Sequence, residues 1–261
     1  MIQYFSTDNL CLLRVMRTIK ALLAVTSLMV GTALAQADTR PSFQLQPYHA
    51  QYVASRSGME LGEANQRLTA LGRHQYELFY RSHAQLLFLS DTRTERSLFR
   101  YRPESGRIIP YKYYYEREGT GDDEKLSLEF FPEKQRVESS KGNTISWQPE
   151  DLLDNQLYQL KVRQGLAEGK TDFRFDSIDE DGQTESQHFR VVTREDLQLP
   201  YGKLPTIKLE KVRESSRRQT FIWFAPQLNY TMVRLRQFKD GDEQADIRLT
   251  QYETGASSVQ Q

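Results

Sequence analysis

The sequence has few residues of the types that bind metals through sulfur or nitrogen. Of its 261 residues, one is a cysteine, Cys11, and four are histidines. A single cysteine excludes an internal disulfide and a zinc site built on thiolates. The histidines show neither H-x-H spacing nor the four-residue spacing of a helical metal site; they are His49, His74, His83 and His188. We therefore expect no metal centre and no cofactor.

An excess of positive charge is also missing. The chain carries 35 basic and 35 acidic residues, whereas nucleic-acid-binding domains usually show a basic stripe and a high isoelectric point. The densest basic cluster, RESSRRQ from Arg213 to Gln219, is typical of a solvated hairpin turn. We expect no nucleic-acid partner.

Long hydrophobic runs are confined to the N-terminus, where the sequence predicts an export signal. Arg17 and Lys20 precede apolar and small residues over 21–34, a stretch too short to span a bilayer comfortably. Ala33-Leu34-Ala35 fits the small-x-small pattern of signal peptidase, and Ala37 closes a second register. A buried N-terminal helix is the alternative interpretation.

Cleavage near Ala35 or Ala37 makes residues 1–35 a signal peptide, with Met16 as an alternative start. Cys11 is then lost, so that the mature chain has no thiol nucleophile and no lipid-anchor cysteine. No later stretch approaches the roughly 18 apolar residues of a membrane helix. We predict a protein free in the periplasm, without a stable membrane span; secretion beyond the cell is the alternative.

Signatures of common enzymes are missing as well. The chain has no G-x-S-x-G elbow, no S-x-x-K acylation motif and no P-loop. DSIDEDGQTESQH resembles a calcium loop only superficially, because Ser177 and His188 occupy the positions that require acidic ligands. We interpret Asp181-Gly182 as a hairpin turn. No catalytic residue is predicted, and an enzyme is not favoured.

Alternation of apolar and polar residues is abundant. Stretches with this pattern recur at roughly 8–12-residue spacing between polar turns such as GTGDD at 119–123. The pattern predicts a mainly β protein, built as a strongly curved antiparallel sheet or as an open β-barrel or sandwich. We expect a single β-rich domain over 38–254 and a disordered tail over 255–261.

One segment has the period of a helix instead. Leu153, Leu157 and Leu160 recur at i, i+4 and i+7, after Pro149 and before Gly169. This spacing predicts one substantial α-helix, packed over the open mouth or one face of the sheet.

A strip of tyrosines allows two interpretations. On a strand, alternate tyrosines share one face, and their rings can line an ordinary core through contacts with the next strand. The same rings could instead form a cavity wall that binds an apolar or glycan ligand beneath the helix. Under this second interpretation the ligand-binding residues are Tyr111, Tyr113, Tyr115, Leu153, Leu157 and Leu160.

Several stretches resemble a family of exported bacterial proteins, domain of unknown function 3108. They are YHAQYVASRSGMELGEANQRL, ERSLF, IIPYKYYY, EDLLDNQLYQL, LPYGKLPTIKLEK and FIWFAPQLNYTMVRLRQ. The resemblance covers about Tyr48 to Tyr252. Residues that match the opening pattern are Tyr52, Gly58, Gly62 and Ala64. Thr231-Met232 stands where the family often carries a proline. The resemblance implies a periplasmic, β-rich protein of unknown activity, and it supplies no catalytic residues to carry over.

These observations predict a non-catalytic periplasmic binding or envelope-assembly factor with an apolar concave face. Its ligand or partner would be a lipid, a glycan or an envelope protein. One alternative is an envelope protein-interaction module that uses exposed sheet edges or the basic hairpin around Arg217. Another is a hydrolase of envelope polymers with a carboxylate pair about 5 to 9 Å apart.

Overall fold

A computed structural model describes residues 43–146, 152–179 and 181–255 of the protein. The predicted signal peptide, Pro149 and residues 256–261 of the predicted tail lie outside the described residues. The described residues form one compact unit. No helix in the described ranges combines the length and the hydrophobicity needed to cross a membrane.

The described residues form fifteen strands, one α-helix and two 3-10 turns. The strands are β1 (Tyr48–Arg56), β2 (Met59–Gly72), β3 (Gln75–Leu86), β4 (Leu89–Arg102), β5 (Arg107–Gly119), β6 (Glu124–Phe131), β7 (Arg136–Ser139), β8 (Thr144–Ser146), β9 (Leu153–Asp154), β10 (Asp172–Ile178), β11 (Thr184–Leu199), β12 (Gly202–Lys211), β13 (Arg218–Ala225), β14 (Thr231–Lys239) and β15 (Asp242–Thr254). The helix is α1 (Tyr158–Ala167), and the 3-10 turns are Pro132–Lys134 and Pro226–Leu228.

All the strands belong to one sheet, in the order β8-β7-β6-β5-β4-β3-β2-β1-β15-β14-β13-β12-β11-β10-β9. Neighbours are antiparallel, apart from β9 and β10, which pair in parallel at Leu153 and Asp154. Tight turns connect many of them; Gly58 and Gly241 adopt φ values of 82° and 88°, which glycine tolerates without steric cost. The predicted mainly β class, with an open antiparallel sheet and one helix, is confirmed.

The two ends of the sheet approach each other, although no strand ladder joins β8 to β9 among the residues described. Leu152 and Ile178 from the β9–β10 end pack in one apolar cluster with residues of β5, β6 and β7. Lys141 Nζ also donates a hydrogen bond of 3.3 Å to the carbonyl of Asp181. We call this line of contact the seam. Side chains close it, so the sheet is curled but is not a hydrogen-bonded barrel.

Helix α1 begins later than its leucine spacing predicts. Leu153 lies in β9, opposite Ser177 of β10, and Leu157 is the residue before the first helical turn. Asp154 fixes this boundary, because its Oδ1 accepts hydrogen bonds of 3.0 Å from the backbone N–H groups of Gln156 and Leu157. The prediction of one helical face with all three leucines is therefore wrong.

The helix packs against the concave face of the sheet. Arg163 is buried, and its Nε and Nη2 donate hydrogen bonds of 3.2 and 3.0 Å to the carbonyl of Asn229. Its guanidinium lies 4.8 Å from the ring centre of Tyr48 on β1. Gly165 lies against Phe173 of β10 so closely that a Cβ atom would come within 2.6 Å of the ring. These contacts fix α1 across one end of the curled sheet.

The other end of the concave face is less filled. On several strands, the inward-facing residue beside the helix is buried. The next inward-facing residue of the same strand, farther from the helix, is half-buried. These successive pairs are Leu78 and Tyr80, Ser97 and Glu95, Val233 and Leu235, and Leu249 and Ile247. We call the half-buried end the mouth; the turns at 57–58, 87–88 and 240–241 lie at this end.

Candidate functional site

The structure separates the predicted tyrosine strip. Tyr113 and Tyr115 are buried on the concave face, whereas Tyr111 is half-buried. The register between β4 and β5 shifts here: Leu98 pairs with Lys112 and Phe99 pairs with Pro110. Tyr111 is the extra residue of this bulge, and an extra residue inverts the alternation of faces beyond it. The prediction that all three tyrosines share one face is wrong.

The predicted leucines lie in a different part of the core. Leu153, Leu157 and Leu160 belong to the main apolar cluster, whereas Tyr113 and Tyr115 belong to the cluster at the seam. The three leucines and Tyr113 are each 0% exposed. Their contacts are with other core side chains, so a ligand would reach them only after the helix or the seam had moved. The ligand-binding role of these residues stays a prediction.

A group of polar side chains lies on the concave face near both apolar clusters. Tyr113 donates a hydrogen bond of 2.7 Å to Glu95 Oε2, and Asn155 Nδ2 donates one of 3.4 Å to the same oxygen. Gln156 Nε2 donates to Ser97 Oγ at 3.1 Å. The segment that leads into α1 therefore connects to β4 and β5 through polar contacts.

Asp154 is a fully buried acid of this region. Burial raises the pKa of its carboxyl to about 6, against the opposing effect of the two backbone N–H groups that it accepts. In the part of the chain that the structure describes, its Oδ2 and the Oε1 of Gln156 are buried acceptors without a hydrogen-bond partner in good geometry; the nearby Ser97 hydroxyl also favours the charged carboxylate. Burial of an unpaired charge is costly, so the site favours a proton on Asp154.

Three aromatic rings form a stack at the base of the mouth. The ring of Tyr158 lies 5.3 Å from that of Phe189, with 7° between their planes, and 6.0 Å from that of Phe175. Burial raises the pKa of Tyr158, and the negative charge of Glu95 nearby acts in the same direction. Tyr80 shows the same effect of burial on its pKa. Both phenols are therefore neutral hydrogen-bonding groups at physiological pH.

Charged side chains complete the opposite side of the mouth. Arg213 is exposed, donates a hydrogen bond of 3.3 Å to Thr220 Oγ1, and has its pKa lowered by the partial burial of its guanidinium. Glu185 accepts hydrogen bonds from Gln187 at 2.8 Å and from Lys211 at 3.1 Å. We define the mouth site as Tyr80, Glu95, Tyr158, Gln187 and Arg213.

This arrangement offers stacking surfaces and hydrogen-bonding groups of both signs. Aromatic faces, a carboxylate and a guanidinium together suit a ligand that has both apolar faces and hydroxyl or amide groups. Within the described ranges, no three histidine, cysteine, aspartate or glutamate side chains are grouped as metal ligands. The sequence-based reasoning missed Glu95 and Tyr158, because only strand pairing brings them together; Arg213 was noted solely as part of a basic turn.

The fold resembles that of a solved protein from Brucella abortus, described as a β-barrel-like protein of domain of unknown function DUF1849. The match has a TM-score of 0.57 and 8% sequence identity, and it covers 82% of this chain and 100% of the other. A DUF1089 family protein from Pseudomonas aeruginosa matches with a TM-score of 0.32 and 12% identity, over 69% of this chain and 86% of that protein. No curated protein matches the sequence.

The sequence itself matches one family over residues 48–248, most of the described chain. That family is described as a protein of unknown function, DUF3108. The match includes every strand from β1 to β14 and the whole of α1. The chain belongs to the DUF3108 family.

Proposed function

We propose that this protein is a non-catalytic binding protein of the bacterial cell envelope, exported to the periplasm, whose concave face takes a ligand through the mouth. One observation carries the proposal: inward-facing side chains change from buried beside α1 to half-buried at the mouth. Glu95 and Tyr158 are half-buried there, and the charges of Glu95 and of the exposed Arg213 both act on the Tyr158 phenol. The order of charged, apolar and small residues at the N-terminus supports export.

The mouth site favours a glycan over a long acyl chain. A lipid tail would need a continuous apolar cavity, and the side chains suited to line one, Tyr113 and Leu160 among them, are fully buried against their neighbours. A sugar ring can instead stack on an aromatic face while its hydroxyl groups bond to Glu95 and Arg213. Few apolar atoms of such a ligand need to enter the core.

Native mass spectrometry of protein released from the periplasm by osmotic shock tests this proposal. We expect a bound species with the mass and composition of a glycan. Glu95→Gln keeps the size of the side chain and removes its charge, whereas Arg213→Gln removes the charge and shortens the side chain; each should reduce occupancy about tenfold or more. Arg217→Gln is the matched control, since Arg217 is an arginine of the same loop that pairs with Asp240 instead.

Three outcomes would contradict the proposal. The protein could be retained in the cytoplasmic fraction, which would remove the exported location. It could carry no bound species under any envelope condition tested. Finally, the bound species could be held equally by wild type and by both mouth variants, which would place binding elsewhere on the chain.

A further inference from the structure

The hairpin between β3 and β4 ends in an apolar tip. Leu87 and Phe88 form its turn and are 81% and 86% exposed, and the flanking Leu86 and Leu89 are 37% and 46% exposed. The neighbouring hairpins have polar turns, such as Ser57-Gly58. Leu87 also adopts a φ of 56°, in the left-handed region that glycine and asparagine occupy far more readily than leucine. Turn geometry therefore does not explain these side chains.

Met59 extends this surface from the adjacent hairpin. Gly62 of β2 pairs with Ala84 of β3, so the start of β2 runs alongside the end of β3, and Met59 is 54% exposed there. We define the apolar tip as Met59, Leu86, Leu87, Phe88 and Leu89.

Four charged residues behind the tip, on strands β4, β5 and β6, are paired with one another. Asp91 binds Arg93 at 2.9 Å and Arg117 at 2.6 Å, and Arg117 also lies 3.2 Å from Glu124. Both arginines are thus already neutralised by acids of the same surface. We call Asp91, Arg93, Arg117 and Glu124 the collar. In a membrane interface the apolar tip would meet the hydrocarbon layer, and the collar would lie at the level of the lipid headgroups.

We propose that the apolar tip inserts into the interface of a lipid bilayer. The usual surface areas of such side chains, multiplied by their exposed fractions, give the tip an exposed area of roughly 500 Å². This is less than the roughly 800 Å² that each partner of a stable protein complex contributes. Binding to a bilayer does not require a contact area of this size, because a few exposed leucine and aromatic side chains suffice for reversible binding. Because the collar charges are paired, the expected attraction is hydrophobic and largely independent of lipid charge.

Insertion at this tip would also set the orientation of the molecule. The turn at 87–88 belongs to the same end of the sheet as the mouth, so the mouth would face the membrane surface while α1 pointed away from it. This inference stands without the proposed ligand, since the tip and the mouth site share no residue.

Vesicle flotation with residues 36–261 tests the inference without the hydrophobic leader. The probes are vesicles of phosphatidylcholine and vesicles of phosphatidylethanolamine with phosphatidylglycerol. We expect wild type to float with both. The double variant Leu87→Ser/Phe88→Ser should bind at least about tenfold more weakly. High salt should change binding by less than about twofold.

The matched control is Leu71→Ser, an exposed leucine at the opposite end of β2. It should float like wild type, and circular dichroism should show that all variants keep their strands. The inference is overturned if wild type does not float, if the double variant floats equally well, or if salt releases the protein. A photoreactive group at position 88 that captures one protein partner, without vesicle binding, would overturn it in favour of protein docking.

Discussion

Tyr113 on β5 and Glu95 on β4 are joined by a hydrogen bond of 2.7 Å on the concave face. Tyr113 is fully buried and belongs to the apolar cluster of the seam, whereas Glu95 is half-buried and belongs to the mouth site. This bond therefore connects the packed part of the interior to its more open part. Tyr113 was predicted to contact a ligand directly. It instead donates a hydrogen bond to Glu95, which is closer to the mouth and better placed for such a contact.

Removal of the Tyr113 hydroxyl should destabilise the protein measurably. We expect Tyr113→Phe to lower the free energy of unfolding by about 1 kcal/mol, because the ring stays packed while a partly buried carboxylate loses one donor. Urea denaturation measures the change. Tyr114→Phe, whose ring is exposed, is the control and should stay within about 0.5 kcal/mol of wild type; equal losses in both variants would show that the Glu95 contact has no special role.

Asp154 should make stability depend on pH. Its pKa is raised from 3.8 to about 6 in the folded protein, so the native state holds the proton more tightly than the unfolded chain does. The corresponding stabilisation is complete below pH 3.8 and is lost as the pH rises through about 6. Asp154→Asn keeps the acceptor for the two backbone N–H groups but cannot ionise.

The variant should therefore gain stability relative to wild type between about pH 4 and pH 7.5. A shift of about two pKa units corresponds to roughly 3 kcal/mol as an upper bound. Paired urea titrations at the two pH values give this difference and cancel the contributions of other groups. A constant offset between the two proteins at both pH values would show that Asp154 does not titrate in this range.

Arg163 should act on stability mainly by filling space. We expect Arg163→Ala to cost about 3 kcal/mol, because it leaves a cavity beneath α1. Arg163→Met should cost no more than about 1 kcal/mol, since it keeps much of the volume and removes a buried charge whose Nη1 has no hydrogen-bond partner within the described residues. Thermal and urea unfolding measure both, with exposed Lys170→Met as the control. Equal losses for Ala and Met would instead assign the effect to the bonds with Asn229.

The two ends of the sheet should separate at the seam more easily than neighbouring strands separate elsewhere. Ile178 is fully buried there against side chains from the opposite sheet end. We expect Ile178→Ala to cost about 2–4 kcal/mol and to speed amide hydrogen exchange in β6 and β7 more than in β1 and β15. Val192→Ala, at an exposed position of β11, is the control. Uniform acceleration across all strands would show that the seam opens only with global unfolding.

Local sequence patterns predicted the strands well because the alternation of side chains is a property of each strand alone. Strand β3 shows such alternation in Tyr76, Leu78 and Tyr80, and Leu78 lies in the core. The start of α1 was mistaken because Leu153 pairs with Ser177, and leucine spacing carries no information about a distant strand. Tyr111 was misplaced for a related reason: its bulge exists only relative to Leu98 and Phe99 on β4.

Local sequence patterns could not predict the mouth site. Glu95, Tyr158 and Arg213 come from β4, the first residue of α1 and the β12–β13 loop, and no spacing between them is characteristic. Their proximity follows from the curl of the whole sheet. The tyrosine strip did identify the buried face of β5 correctly at Tyr113 and Tyr115, because burial of a strand face is a local property.

The pairing of β1 with β15 has a consequence for the order of folding. From β1 to β8 each strand is followed by its own neighbour in the sheet, so this half can assemble before the rest of the chain has folded. One edge of β1 nevertheless stays unpaired until the last strand, β15, has joined it. A chain that is cut or held back before Asp242 therefore presents a long, unprotected strand edge, and such edges recruit other chains into aggregates.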